Sequence, residues 1–156
     1  MNYFSIFELE TKLLFEQEDE EKLEKKYLEL TKEESVPGVI SFKKSLFNEA
    51  YTTLKTELLR AEYMLKLLEI DILKLKPSQE LISYILEIRE DIADAETEQE
   101  TKERVQDVVI ELEEISINLD AKFKLAFSGK INREELEELF MKFKFLSEII
   151  KKYKKI

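Results

Sequence analysis

The sequence predicts an all-α fold, and three observations carry that prediction. Gly and Pro number only two each in 156 residues, so few positions can make tight turns, and strong helix formers dominate the rest. Apolar residues recur at intervals of three and four through most of the chain, which is the period of a helix face. The longest such stripe is Ala50, Leu54, Leu58, Ala61, Leu65 and Leu68, uninterrupted by Pro or Gly. It reads as one buried helix stripe over residues 48–68, and the spacing leaves open whether the helix kinks near Thr56. At this length the chain supports one domain or two small ones, with about 70% of its unfolded surface buried if compact.

In chain order, Tyr3, Phe4, Ile6, Phe7 and Leu9 crowd five large apolar residues into seven positions. That segment is too short for a core helix and reads as a short helix or turn whose aromatics plug a core made elsewhere. Residues 18–34 place Leu23, Tyr27 and Leu30 on one face, with acids in the first turn where the helix dipole favours them. The stripe is thin, so this helix covers a core without forming its centre. Ser35-Val36-Pro37-Gly38 is the clearest breaker and predicts a loop. The long stripe follows, and Pro77-Ser78 opens the next helix with a capping residue. Residues 78–97 carry Leu81, Ile85, Ile88 and Ile92; residues 101–127 carry Val105, Val108, Leu112, Ile115, Leu119 and Phe123. Ser128-Gly129 stops that helix, and Asn132 with Glu135 starts the last one as a capping box. Its seam is Leu136, Leu139, Phe143, Leu146, Ile150 and Tyr153. Three amphipathic helices with short connections predict an antiparallel bundle, and a boundary falls near residues 70–78. No fixed-period repeat is present.

Composition excludes more chemistry than it suggests. The chain has no Cys and no His, which removes disulfides, thiolate metal sites, Cys nucleophiles and the usual neutral-pH general base. The formal charge is −10, with residues 78–127 contributing −9 and residues 128–156 contributing +3. Such an acidic surface repels phosphate backbones and anionic lipid, so neither nucleic acid nor membrane is expected as a partner. No apolar run reaches membrane-spanning length and the first residues are not a signal sequence, so the cytoplasm is the expected compartment.

The acidic run Glu16 to Glu21 lacks the alternating ligands and the Gly of a calcium loop, and reads as a solvated helix start. Glu111, Glu113 and Glu114 resemble part of a carboxylate-bridged metal bundle, which also needs His ligands that this chain lacks. A carboxylate-pair glycosidase would need a sugar cleft, and no long loop or Trp is present to build one. No catalytic, cofactor-binding or metal-ligating residue is therefore assigned, and no enzyme is expected. A different feature is more informative: apolar residues that lie off the core seams. Ile82 and Leu86 sit beside the Leu81/Ile85/Ile88 seam, and their row continues as Glu90 and Asp94 with Glu87 alongside. Met141, Phe145 and Ile149 form a second row in the last helix. These rows are either a partner surface or wide stripes packed internally; periodicity leaves both open.

Asn48-Glu49-Ala50-Tyr51-x-x-Leu54, followed by Arg60-Ala61-Glu62-Tyr63-Met64-Leu65, resembles the HscB-type J-domain co-chaperones of iron–sulfur cluster assembly. Tyr3-Phe4-x-Ile6-Phe7-x-Leu9 is similar to their aromatic start, Leu86-Glu87-Ile88-Arg89-Glu90 to a Leu-Glu-Leu-Arg-Glu stretch, and Lys144-Phe145-Leu146 to an Arg-Phe-Leu in the last helix. The Arg-Ala-Glu-Tyr block is the specific part. The resemblance implies a J-domain-like N-terminal helical domain, residues 1–74, packed against a C-terminal three-helix bundle, residues 75–156. It implies that the first engages a DnaK-type (HscA-like) chaperone and that the second binds an IscU-type scaffold. Carried over by position, the scaffold-binding residues are Ile82, Leu86, Glu87, Glu90, Asp94 and Phe145; a family Met in this row is Ser83 here. The chain departs from the family at the His-Pro-Asp of the chaperone loop, where it has Ser35, Val36 and Pro37. Residues 18–34 also hold eight acids against four Lys, where J domains usually present a basic face. Both departures bear on stimulation of the chaperone's ATPase and neither bears on the fold. A composition this rich in Glu, Lys and Leu also suits a diverged or redesigned member, and the alternative to partner binding is a helical scaffold with none.

Overall fold

The computed structural model describes residues 2–32, 40–130 and 132–153, and every regular element among them is helical. The chain divides into two compact units, Met1–Glu69 and Ile70–Ile156. The expected loop at Ser35-Val36-Pro37-Gly38 lies outside the described residues.

The first unit contains α1 (Tyr3–Ile6), α2 (Gln17–Lys32), α3 (Ile40–Lys55) and α4 (Glu57–Leu67). Helix α1 starts on a reciprocal capping box between Asn2 and Ser5, which satisfies two orphan backbone donors. It holds Phe4 and Phe7 inside the core with Leu13, Leu23, Ala50, Leu54, Ala61, Met64 and Leu65, all buried. The aromatic start is therefore a plug, as its composition predicts.

The stripe over residues 48–68, which left a kink near Thr56 open, falls on two helices. Thr56 adopts an extended backbone, with φ −105° and ψ 140°, and separates α3 from α4. Thr52, Thr53 and Thr56 weaken the helix here through their β-branched side chains. The break leaves the carbonyl of Leu54 without a helical partner, and the Arg60 guanidinium takes it: Arg60 Nη1 donates to Leu54 O at 2.6 Å. Its Nε donates to Leu13 O at 2.7 Å. The apolar stripe survives because Leu54, Ala61 and Leu65 remain fully buried on either side of the break. At about 2 kcal/mol for each large apolar side chain buried, their burial outweighs one interrupted helical bond.

The second unit contains a short 3₁₀ turn, Ile72–Lys74, then α5 (Gln79–Ala93), α6 (Glu98–Phe127) and α7 (Arg133–Tyr153). Ser78, Thr97 and Asn132 cap the three helices, accepting from Leu81 N at 3.1 Å, Glu100 N at 3.1 Å and Glu135 N at 3.3 Å. Helix α6 thus begins three residues before the expected start at 101. It ends in a Schellman motif: Gly129 takes φ +86°, Gly129 N donates to Ala126 O at 3.1 Å and Lys130 N to Leu125 O at 2.9 Å. Helices α5 and α6 are antiparallel, since Tyr84 meets Glu111 and Asp91 meets Arg104. Helices α6 and α7 are antiparallel as well, through Lys122–Glu135 at 2.6 Å and Lys142–Glu111 at 3.2 Å. The core seam of α7 differs from expectation. Phe140 is fully buried, whereas Leu139 is only half-buried.

Candidate functional site

Helix α5 turns Leu81, Ile85 and Ile92 into the bundle core and leaves two large aliphatic side chains outside. Ile82 is 40% exposed and Leu86 55%. Glu87, Glu90 and Asp94 are exposed on the same helix. With a repeat of four, Ile82, Leu86, Glu90 and Asp94 run as one slowly turning row, apolar at its start and acidic at its end. Phe145 of α7 is half-buried. Leu81 and Met141 line one surface depression, and Leu86 and Ile149 line another. Helices α5 and α7 are therefore parallel, and Phe145, midway between Met141 and Ile149, stands at the height of Ile82 and Leu86. The second row expected on α7 does not stand free as a whole: Met141 and Ile149 are buried. That half of the surplus is core packing, and Phe145 is the member that stays accessible.

The rotation of α5 is held by a polar contact that the sequence does not reveal. Tyr84 donates its hydroxyl to Glu111 Oε1 of α6 at 2.6 Å. Lys142 of α7 pairs with the same carboxylate at 3.2 Å and sits 4.9 Å from the Tyr84 ring centroid. All three helices meet in this cluster, which satisfies a half-buried acid with a proton donor and a cation. Burial raises the Tyr84 hydroxyl pKa, the Glu111 hydrogen bond and the charges of Glu111 and Glu87 add to it, and it is pushed up to about 12. Glu111, which the sequence offered as a weak metal ligand, is thus compensated by Lys142. Glu113 and Glu114 are exposed, and among the described residues no three His, Cys, Asp or Glu side chains could jointly hold a metal ion.

In the first unit, the residues that carry the family resemblance are those that tie its helices together. Asn48 accepts the Tyr27 hydroxyl, and Tyr27 stacks on Tyr51 with centroids 4.1 Å apart. Tyr63 stacks on Tyr3 at 4.4 Å and accepts Tyr3 N at 2.8 Å. Arg60 is 5% exposed, and its guanidinium lies 3.8 Å from the Phe15 ring centroid. Through these contacts the groups pack the helices of the unit together. Ser35, Val36 and Pro37 lie outside the described residues. On α2, Glu18, Glu20, Glu21, Glu24 and Glu29 are exposed. Asp19 is drawn back to Lys12 at 2.9 Å, so the acidic run is a helix start with one structural ion pair.

Fold and site together define an all-α protein of two helical units with an exposed apolar row on one helix face. Comparison with known proteins shows what this chain is similar to. The chain is similar to the mouse iron–sulfur cluster co-chaperone protein HscB, 32% identical over 113 residues that make up 70% of this chain and 46% of the mouse protein. The chain thus spans less than half the length of that relative. The crystal structure of human co-chaperone protein HscB superposes with a TM-score of 0.80 at 26% identity, covering 99% of this chain and 81% of the human one. Chaperone HscB from Vibrio cholerae shares the fold, with a TM-score of 0.78 at 22% identity and coverage of 99% and 96%. No protein-family model matches the chain. The chain is HscB-like in sequence and in fold, and the proteins it resembles are named as chaperones and co-chaperones. Among the described residues no helix is long and apolar enough to cross a membrane.

Proposed function

We propose that this chain acts as an HscB-like co-chaperone of iron–sulfur cluster assembly, with the bundle of residues 75–156 binding an IscU-type scaffold. The binding face is Ile82, Leu86, Glu87, Glu90 and Asp94 of α5 with Phe145 of α7. One observation supports this above the others. A helix that buries Leu81, Ile85 and Ile92 nevertheless leaves Leu86 55% exposed, in a row completed by acids. An exposed Leu forgoes about 1 kcal/mol or more of burial, which a partner returns on docking. The competing reading, a helical scaffold without a partner, expects these side chains inside the bundle, and the exposure of Ile82 and Leu86 weighs against it. The face is an adaptor surface and not an active site, so no enzymatic activity is proposed.

The test is calorimetric titration of an IscU-type scaffold into the full chain. Leu86→Ala combined with Phe145→Ala should weaken binding by about 2–4 kcal/mol, the range of clustered interface anchors. An unchanged affinity would refute the assignment of the face.

The first unit, read as the J-like domain of residues 1–74, is proposed to engage a DnaK-type (HscA-like) chaperone in the cytoplasm. Its ATPase stimulation is expected to be weak, because Ser35, Val36 and Pro37 stand where the family has His-Pro-Asp and the exposed face of α2 is acidic. Placing His-Pro-Asp at these three positions should raise stimulation above that of the native chain in a steady-state ATPase assay. Equal stimulation by both chains would show that the loop is not the cause.

A further inference from the structure

Helix α6 turns Val108, Ile115, Leu119 and Phe123 into the core, and its opposite face carries an apolar row of its own. Ile110 is 48% exposed, Ile117 61% and Leu125 45%, and the exposed Ala121 lies between the last two. Intervals of seven, four and four keep these four side chains on one narrow strip of a helix with 3.6 residues per turn. None of them belongs to the α5 face described above. Charge is unevenly placed along the strip. Its N-terminal half carries exposed Glu103, Asp107, Glu113 and Glu114 against Lys102. From Ile117 to the end of the helix the exposed positions hold Lys124 and no acid. Lys124 pairs with Asp120 of its own helix at 3.2 Å, yet its side chain remains 65% exposed.

We propose that this strip is a self-association surface, on which a second copy of the chain lays its own α6 antiparallel. A two-fold contact requires a surface that complements itself, with each residue met by the residue it meets. The strip has that property. A two-fold axis between Ile117 and Asn118 places Ile110 against Leu125 of the second copy and Ile117 against its own counterpart. The small Ala121 then comes level with Glu114 and leaves that longer side chain room. Charge selects the direction. Parallel helices would set the four acids of one copy beside the same four of the other, whereas antiparallel helices set them beside the half that holds Lys124. The two-fold also returns each flank of the strip to the same side. Lys124 of one copy therefore lies on the flank of Glu113 of the other, offset by about 3 Å along the axis at 1.5 Å per residue. That is within side-chain reach, and the pair forms twice. Three part-exposed aliphatic side chains fall short of the roughly 800 Å² per partner of a standard interface. The dimer is accordingly weak, with a Kd on the order of 100 µM.

The experiment is sedimentation equilibrium of the full chain from about 10 µM to about 1 mM, a range that brackets the expected Kd. Ionic strength is held near physiological, where the net charge of −10 on each copy is screened beyond about 8 Å. The average mass should rise from that of a monomer toward twice that value. Ile117→Glu, at an exposed position, puts two carboxylates on the axis and should weaken association at least about tenfold, the effect of losing a central anchor. Glu113→Lys and Lys124→Glu should each weaken it, and the two together should restore it at the native net charge. Leu86→Ala, on the other face, should leave it within about twofold of native. Circular dichroism confirms that each variant is folded. A chain that stays monomeric to about 1 mM refutes the proposal, as does association that survives Ile117→Glu or is lost in Leu86→Ala. A double charge swap no better than either single change overturns the antiparallel pairing.

Discussion

Arg60 offers the sharpest test of how the first unit is held together. It is 95% withdrawn from solvent, a charge that the fold tolerates only because it is fully engaged. Its guanidinium bridges two segments: the connection before α2, through Leu13 O at 2.7 Å and the Phe15 ring at 3.8 Å, and the end of α3, through Leu54 O at 2.6 Å. Consider Arg60→Met, which keeps the length of the stem and removes the fork. Two charge-assisted hydrogen bonds are lost, each worth about 1.5–3 kcal/mol net. Two buried carbonyls lose a donor, which is largely the same loss seen from the other partner, so the terms are not summed. Relief from desolvating the guanidinium offsets part of the loss. The net expectation is a destabilisation of about 3 kcal/mol. Arg60→Lys should recover only part of it, because an ammonium is a point donor that cannot span both carbonyls in one plane. Urea unfolding of the full chain, with hydrogen exchange read separately over α1–α4 and α5–α7, measures both the size and the location. Protection should fall in α3, α4 and the segment around Leu13. A change below about 0.5 kcal/mol for Arg60→Met, or a loss of protection confined to α5–α7, would refute the account.

Two further outcomes follow from the second unit. The folded-state pKa of Tyr84 lies above the ordinary tyrosine value of about 10, at about 12. The stability it contributes is therefore fully present below pH 10 and is lost as pH rises through about 12. A spectrophotometric tyrosinate titration of the chain minus that of Tyr84→Phe should place the missing step near the upper value, and a step near 10 would contradict the Glu111 contact. Gly129→Ala should cost about 1–2 kcal/mol in thermal or chemical unfolding. The φ of +86° is strained for any side chain even though open space surrounds the position, and an unchanged stability would mean that the Schellman end of α6 is dispensable.

The residues themselves determined a good deal. Two Gly, two Pro and a three-and-four apolar period leave a chain of this kind no route but helices. Caps at Ser78 and Asn132, and the stop at Gly129, were legible because capping is local chemistry: a side chain meets a backbone group within one turn. The off-seam pair Ile82 and Leu86 was visible for a similar reason, since a helix face is a function of spacing alone. What spacing could not say is whether a neighbouring helix covers such a face. It left Ile82 and Leu86 in solvent, yet it buried Met141 and Ile149 from the matching row of α7, and it exchanged Leu139 for Phe140 in the seam.

Tertiary structure also decided the break at Thr56. An unbroken apolar stripe is compatible with one helix or two, and a guanidinium arriving from Arg60 to donate to a freed carbonyl makes two the better answer. The Tyr84–Glu111–Lys142 cluster joins residues 27 and 31 positions apart, beyond the reach of any periodic signal. The same holds for the depression that Leu86 and Ile149 line together, which exists because α5 and α7 run side by side. Local geometry is written in the order of the residues; which faces meet, and which side chain is left outside when they do, is set by the packing of whole helices.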